Sequence, residues 1–219
     1  MGKHAFSLKT IYLAALTAVF AVSFFAFVAF DLYSQQRQTE QAMLEEARTF
    51  AREMDAVWQF MDNSQSIINN SSSGGYEFKG LHCSVVGKSV GRLFSAGSDY
   101  HIRYTNFDPR SEQDIPDEFE TKALEAFNAD RSVTEYYGVA PFDGEDRFRY
   151  LQALEVDDSC LECHGEPVGE LDITDHAKEG WTLESVGGAI SIVIPLDQQQ
   201  AAMRGNVIRD MAYFLLITV

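Results

Sequence analysis

Cys160-Leu161-Glu162-Cys163-His164 is the stretch whose residue types and spacing could do chemistry. Two thiols at this spacing can each add to a vinyl group of one haem, and the adjacent histidine then reaches the iron from the proximal side. The pattern predicts one haem c, covalent through Cys160 and Cys163, with His164 as axial ligand. Other chemistries use the same side chains. A Cys160–Cys163 disulfide suits an oxidising compartment. A structural zinc site wants four ligands, and the adjacent Cys163 and His164 cannot easily face one tetrahedral ion. A redox dithiol would usually begin a helix in a thioredoxin-like βαβ unit, and no such unit is visible. Gly165-Glu166-Pro167 follows and turns the chain away without bulk behind the histidine.

One haem leaves a sixth position on the iron. Cys83 is unpaired once Cys160 and Cys163 hold the porphyrin, and an odd cysteine in an exported domain calls for an explanation. It is the first choice for the distal ligand, with its neighbour His82 the second; His101, His176, Met54 and Met61 are further options. The alternative is that Cys83 is a small buried hydrophobe.

The elements that must position these residues begin at a membrane. Ile11 to Phe30 is a run of twenty uncharged residues, long enough to cross about 30 Å of hydrocarbon. Lys3 and Lys9 precede it, so the positive-inside rule puts residues 1–10 in the cytoplasm and 31–210 outside it. A cleaved signal peptide competes, but its apolar region would be shorter and Phe27-Val28-Ala29 lacks the small-residue pattern. The apolar Met211–Val219 stretch is expected to start a second, truncated membrane helix, a short docking tail being the alternative. The protein is expected in a bacterial cytoplasmic membrane, single- or two-pass, with its chain continuing past Val219 into a cytoplasmic output module. All 33 acidic residues lie between Asp31 and Asp210, against 15 of the 17 basic ones. Such a surface repels phosphates and argues against a nucleic-acid partner.

Residues 34–67 carry no Pro or Gly and read as one long juxtamembrane helix. Met43, Ala47, Phe50, Met54, Val57 and Met61 recur at spacings of four and three, which suits either a homodimer seam or packing on the protein's own sheet. A Ser/Gly-rich loop follows, and 76–200 is expected to be the extracytoplasmic domain. Ser84–Leu93 is ambiguous between helix and strand, whereas Tyr100, Ile102 and Tyr104 alternate as in a half-buried strand. Pro116 is expected in the first turn of a helix with Asp117, Glu118 and Glu120 at its start. Val133–Tyr137 and Arg147–Val156 read as strands joined across Asp143-Gly144-Glu145-Asp146, and Gly188–Leu196 as a central strand. Residues 197–210 return to helix. The order predicts an α+β fold with a mixed or antiparallel sheet.

His82-Cys83-Ser84, then Ile102-Arg103-Tyr104-Thr105-Asn106-Phe107-Asp108-Pro109-Arg110, Pro116-Asp117-Glu118-Phe119-Glu120, the haem motif and Gly187-Gly188-Ala189-Ile190-Ser191-Ile192 resemble domain-of-unknown-function 3365, the PAS-like haem c sensors of bacterial membrane proteins. The resemblance covers roughly residues 35–200 and departs at 63–80, where the Trp-Asn segment common in the family is replaced by the Ser/Gly-rich loop. It implies a PAS-like domain flanked by membrane helices that responds to redox state or a diatomic gas, and in one branch a cysteine upstream of the motif is the distal ligand, at the approximate place of Cys83. Arg103, Asn106 and Arg110 fall in the matched stretch; the two arginines could pair with haem propionates or be surface charge. Nothing resembles an enzyme's acid–base pair or nucleophile, so no catalysis is expected. A membrane-tethered monohaem cytochrome that only passes electrons is the rival function.

Overall fold

The computed structural model describes residues 7–218. Most of the 1–10 segment expected in the cytoplasm, and Val219, therefore lie outside the described residues. The chain divides into two compact units, Met1–Ala42 with Asp197–Val219, and Met43–Leu196.

Helix α1 runs unbroken from Leu8 to Asn63, so the expected membrane helix and juxtamembrane helix are one element. Its apolar stretch has a mean hydropathy of 2.4 over an 18-residue window, with Leu13, Val19, Phe25 and Phe30 exposed. By length and composition it can cross a membrane, and it is the one helix among the described residues that meets that test. Within the first unit, helix α6 (Asp197–Thr218) sets Phe214 among Phe20, Phe24 and Phe27, and Asp210 accepts a hydrogen bond from Gln35.

The second unit is built on four antiparallel strands: β1 (His101–Thr105), β2 (Glu135–Phe142), β3 (Glu145–Glu155) and β4 (Val186–Ile194), in the order β1-β4-β3-β2. The last strand is central, as its unbroken apolar run requires: seven consecutive residues from Gly188 are buried. The β2–β3 hairpin closes on Asp143-Gly144 alone, both at positive φ (51° and 84°), because a two-residue turn of that hand matches the twist of the flanking strands. Period-2 alternation sorts side chains to two faces. Ile102, Tyr104, Phe148, Tyr150, Ile190, Ile192 and Ile194 meet Met43, Leu44, Ala47, Ala51 and Met54 of α1. The apolar stripe of α1 thus packs on the protein's own sheet, which also explains why the compact unit begins at Met43, earlier than the expected residue 76. Arg48 fastens this packing with a bidentate grip on Glu135, to which Tyr150 also donates.

On the opposite face Leu151 and Ala189 pack against Ala123, Leu124 and Phe127 of helix α4 (Glu118–Ala129). Pro116 lies outside that helix; Asp117 is its N-cap, in a capping box with Glu120. Glu120 is more than a first-turn acid. It is 1% exposed and bidentate to Arg103, at 3.0 and 2.5 Å, and Arg149, also fully buried, lies 3.5 Å away. Arg149 Nη2 reaches Asp117 at 2.7 Å without the alignment of a hydrogen bond, and its guanidinium lies over the rings of Phe119 and Phe142.

The segment ambiguous from sequence is helix α3 (Cys83–Ala96), preceded by the short helix α2 (Gln65–Ile68). Gly87 and Gly91 let α3 lie close on β1: a β-carbon at Gly91 would stand 2.9 Å from the Ile102 carbonyl oxygen. Between α2 and α3 the Ser/Gly-rich loop is organised by the buried Asn69, which accepts from the Lys79 N–H through its side chain and from the Glu77 N–H through its backbone.

Candidate functional site

The haem motif follows β3, as expected, but is itself a short helix, α5 (Asp158–His164). Asp157 starts it by accepting from the N–H groups of Ser159 and Cys160. A helix places residues three apart on one face, so the Cys160 and Cys163 side chains share a side. Both thiols are free and half-buried. Burial pushes the Cys160 thiol up to about 11 and Cys163 upward as well, so both are protonated near neutrality. Gly165 ends the helix; a β-carbon there would lie 2.6 Å from the Leu161 carbonyl oxygen, which is why the residue behind the histidine must be glycine.

The segment after α5 folds back on it. Leu171 and Ala177 pair across a tight turn in which the Asp172 carboxylate accepts from the Thr174 N–H and hydroxyl and from the His176 N–H. The Trp181 N–H then donates to the His164 carbonyl, and the two rings stack with centroids 4.0 Å apart and planes 11° from parallel. Glu179 Oε2 lies 2.8 Å from His164 Nδ1. Burial holds the His164 pKa below its ordinary value despite this partner, so the neutral imidazole carries its proton on Nδ1 toward the carboxylate, and Nε2 keeps its lone pair.

Arg110 locks the arrangement. Its Nε and Nη2 grip Glu179 at 2.6 and 2.9 Å, Nη1 reaches the fully buried Asp172 side chain at 2.7 Å, and Nη2 also donates to the Cys163 carbonyl. Burial alone would raise Asp172, but bonds from Thr174 and Arg110 bring it far below the ordinary carboxylate range. Arg110 thus bonds to two carboxylates of this chain; haem propionates or plain surface charge were the two readings open from sequence. Arg103 is committed likewise, to Glu120 and to the Gln113 and Ile115 carbonyls. Asn106 donates to the Gly187 carbonyl and accepts from the Asp108 N–H, which closes the loop after β1 onto the start of β4.

The start of α3 comes to the same place. His82 is the N-cap residue of α3, half-buried, and lies within electrostatic reach of His164, Arg110 and Asp172. Cys83 is the first residue of α3, within electrostatic reach of Cys160 and of Asp62 in the last turn of α1. Burial, then Asp62, pushes its thiol up to about 12. The fold therefore brings the start of α3 within electrostatic reach of the motif across about eighty residues of chain. Of the other ligand options, Met54 is in the core under the sheet and His101 lies on β1 against Phe142; His176 sits in the Asp172 turn hydrogen-bonded with Thr174, and Met61 is buried on α1 beside Asp62. Among the described residues no three His, Cys, Asp or Glu side chains gather as a metal cage.

Glu179, Asp172 and Trp181 escaped the sequence reading. Asp172-Ile173-Thr174 carries an Asx-turn signal, and Trp181 is one of two tryptophans, but neither spacing points to His164.

The profile of the Tll0287-like family matches residues 36–195. The chain belongs to that family. Among solved structures it is similar to a crystal structure titled as the cyanobacterial heme-protein Tll0287, with a TM-score of 0.52 and 18% identity over 70% of this chain and 95% of the other. At that identity the likeness speaks for the fold. No curated protein matches this chain. The matched span takes in the last part of α1, the whole sheet and every residue of the His164 cluster.

Proposed function

We propose that this member of the Tll0287-like family is an extracytoplasmic haem c sensor domain of a membrane signalling protein, responding to redox state or a diatomic gas. One observation carries the reading. His164 is held by its Nδ1 edge and stacked on Trp181, which leaves Nε2 for a metal, on the same helix as two unbonded thiols. This donor set fits a covalently held haem: Cys160 and Cys163 for the porphyrin, His164 for the iron, and Cys83 or, second, His82 for the far side. The relative with a solved structure is titled a heme protein, in keeping with this reading. Bound there, haem supplies a one-electron iron couple and an axial position open to exchange. The protein's part would be to orient the imidazole through Glu179 and Trp181 and to bring Cys83 and His82 within reach of the motif.

Cys83 is assigned as the distal ligand of the ferric state. Cys83→Ala in the haem-loaded chain is expected to abolish a six-coordinate low-spin thiolate spectrum, while His82→Ala leaves it nearly intact. Absorption and electron paramagnetic resonance spectra decide between them, and the reverse pattern moves the assignment to His82.

The apolar part of α1 anchors the chain, with 31–210 outside the cytoplasm and α6 entering the membrane as a second helix. Helix α1 has no break between Leu8 and Asn63, and α6 follows β4 after two residues, Pro195 and Leu196. Helices without a flexible linker can carry a shape change, whereas a tethered electron carrier needs one connection, preferably flexible. Nitroxide side chains incorporated at the exposed positions Gln41 and Gln200, which spare the native thiols, test this in lipid nanodiscs. Their distance distribution is expected to differ between ferric and ferrous forms, or on adding CO or NO. Coincident distributions in every state would leave the electron-carrier reading in place of the sensor.

A further inference from the structure

Glu179 occupies an unusual position in the His164 cluster. Its carboxylate is 18% exposed, accepts two N–H groups of Arg110 on one side and faces His164 Nδ1 on the other. The loop that carries it is held at both ends: Lys178 exchanges backbone hydrogen bonds with Gly169 and Glu170, and Trp181 bonds to the His164 carbonyl. Gly180, at φ 80°, makes the turn between them, where a β-carbon would meet Val168 at 2.4 Å. Two neighbours therefore fix the ring of His164, Trp181 across its face and Glu179 at its edge.

We infer that Glu179 is a positioning residue that sets the donor strength of His164 Nε2 toward iron, and through it the reduction potential of the site. The inference rests on the reading of His164 as the axial ligand. An Nδ1–H shared with a carboxylate draws the proton outward and leaves more electron density on Nε2, as in carboxylate–histidine–metal arrangements. A stronger donor favours the more highly charged metal, so Glu179 holds the ferric form and lowers the potential. Arg110 sets the limit of this effect. Its two bonds to Glu179 reduce the carboxylate's pull on the proton, and its third, to Asp172, keeps the guanidinium from moving with it.

Two arms test this, and they fail separately. In the haem-free full chain in detergent, the imidazole nitrogen-15 spectrum of His164 is expected to show the Nδ1–H tautomer, against the Nε2–H form that unconstrained imidazole favours. A predominant Nε2–H form overturns the inference whatever becomes of the haem reading, and needs no substitution. In the haem-loaded chain, Glu179→Gln keeps the shape and an oxygen for Nδ1–H but removes the charge. It is expected to move the ferric–ferrous equilibrium toward ferrous by about tenfold, a rise of about 59 mV for one electron, and to lower the iron–histidine stretching frequency. Glu179→Asp should fall between it and the natural chain, a gradation that a merely structural role would not produce. An unchanged potential and frequency in Glu179→Gln sink the inference while leaving the haem reading standing. A natural chain without covalent haem sinks the haem reading, and the tautomer arm then judges Glu179 alone.

Discussion

Replacing Cys160 and Cys163 together by serine is expected to remove all covalently held haem from the chain. Made alongside a c-type maturation system, the natural protein is expected to keep its haem through a denaturing gel and through acid-acetone extraction, and the double variant to keep none in either. The effect is all-or-none because each thioether is a bond to one of these two sulfurs, and the third cysteine, Cys83, lies on α3 outside the CxxCH spacing that attachment uses. Folding is not the cause of the loss: α5 is started by backbone N–H groups donating to Asp157, which serine at 160 leaves in place. Each single replacement should retain haem through one bond. If the natural chain releases its haem into acid-acetone, the covalent reading ends there.

Glu120→Ala is expected to destabilise the Met43–Leu196 unit by about 3–5 kcal/mol, the usual cost of breaking a buried ion pair by removing one partner. Arg103 loses both carboxylate contacts, and Arg149, 2% exposed at its side chain, keeps only Asp117. Against a typical domain stability of about 5–15 kcal/mol this is roughly a fifth of the whole or more. At a slope of about 2 kcal/mol per molar the urea midpoint falls by roughly 1.5–2.5 M. Both tryptophans, Trp58 and Trp181, lie in this unit, so their fluorescence follows its unfolding in the full chain. A loss under 1 kcal/mol would mean that the cluster is solvated enough to tolerate an unpaired arginine. The same cluster responds to acid. Burial raises the Asp117 pKa, but the adjacent Arg149 guanidinium and the bond from the Glu120 N–H bring it below its ordinary 3.8. Its contribution is therefore complete above about pH 4 and lost as pH falls through the lower folded-state value.

Much of the scaffold could be read before any coordinates because it rests on local periodicity. The alternation of Ile102 and Tyr104 around Arg103 could only suit a strand with one apolar face, and the apolar run after Gly188 only a strand covered on both sides. The stripe on α1 was visible too, but periodicity measures which side of a helix is apolar and says nothing about what covers it; the sheet of the same unit does. Boundaries slipped where a side chain chose them: Asp117 takes the N-cap, so Pro116, expected in the first turn, lies outside the helix.

The sequence by itself singled out the Cys160–His164 motif, since that rests on five adjacent residues and an intrinsic spacing. It also named Cys83 and His82, but only the tertiary structure brings them to the motif, because no local rule ties the start of α3 to a helix some eighty residues later. The environment of His164 was decided there entirely. Glu179, Asp172 and Trp181 are ordinary loop residues in one dimension. Their meaning comes from a chain that reverses after Gly165, and from an arginine at 110 whose five donors find two carboxylates and a carbonyl when three distant segments converge. Charge pairs have no period and no fixed separation along the chain, so Glu179 and Asp172, which the fold sets around His164 and Arg110, could not be announced by the sequence.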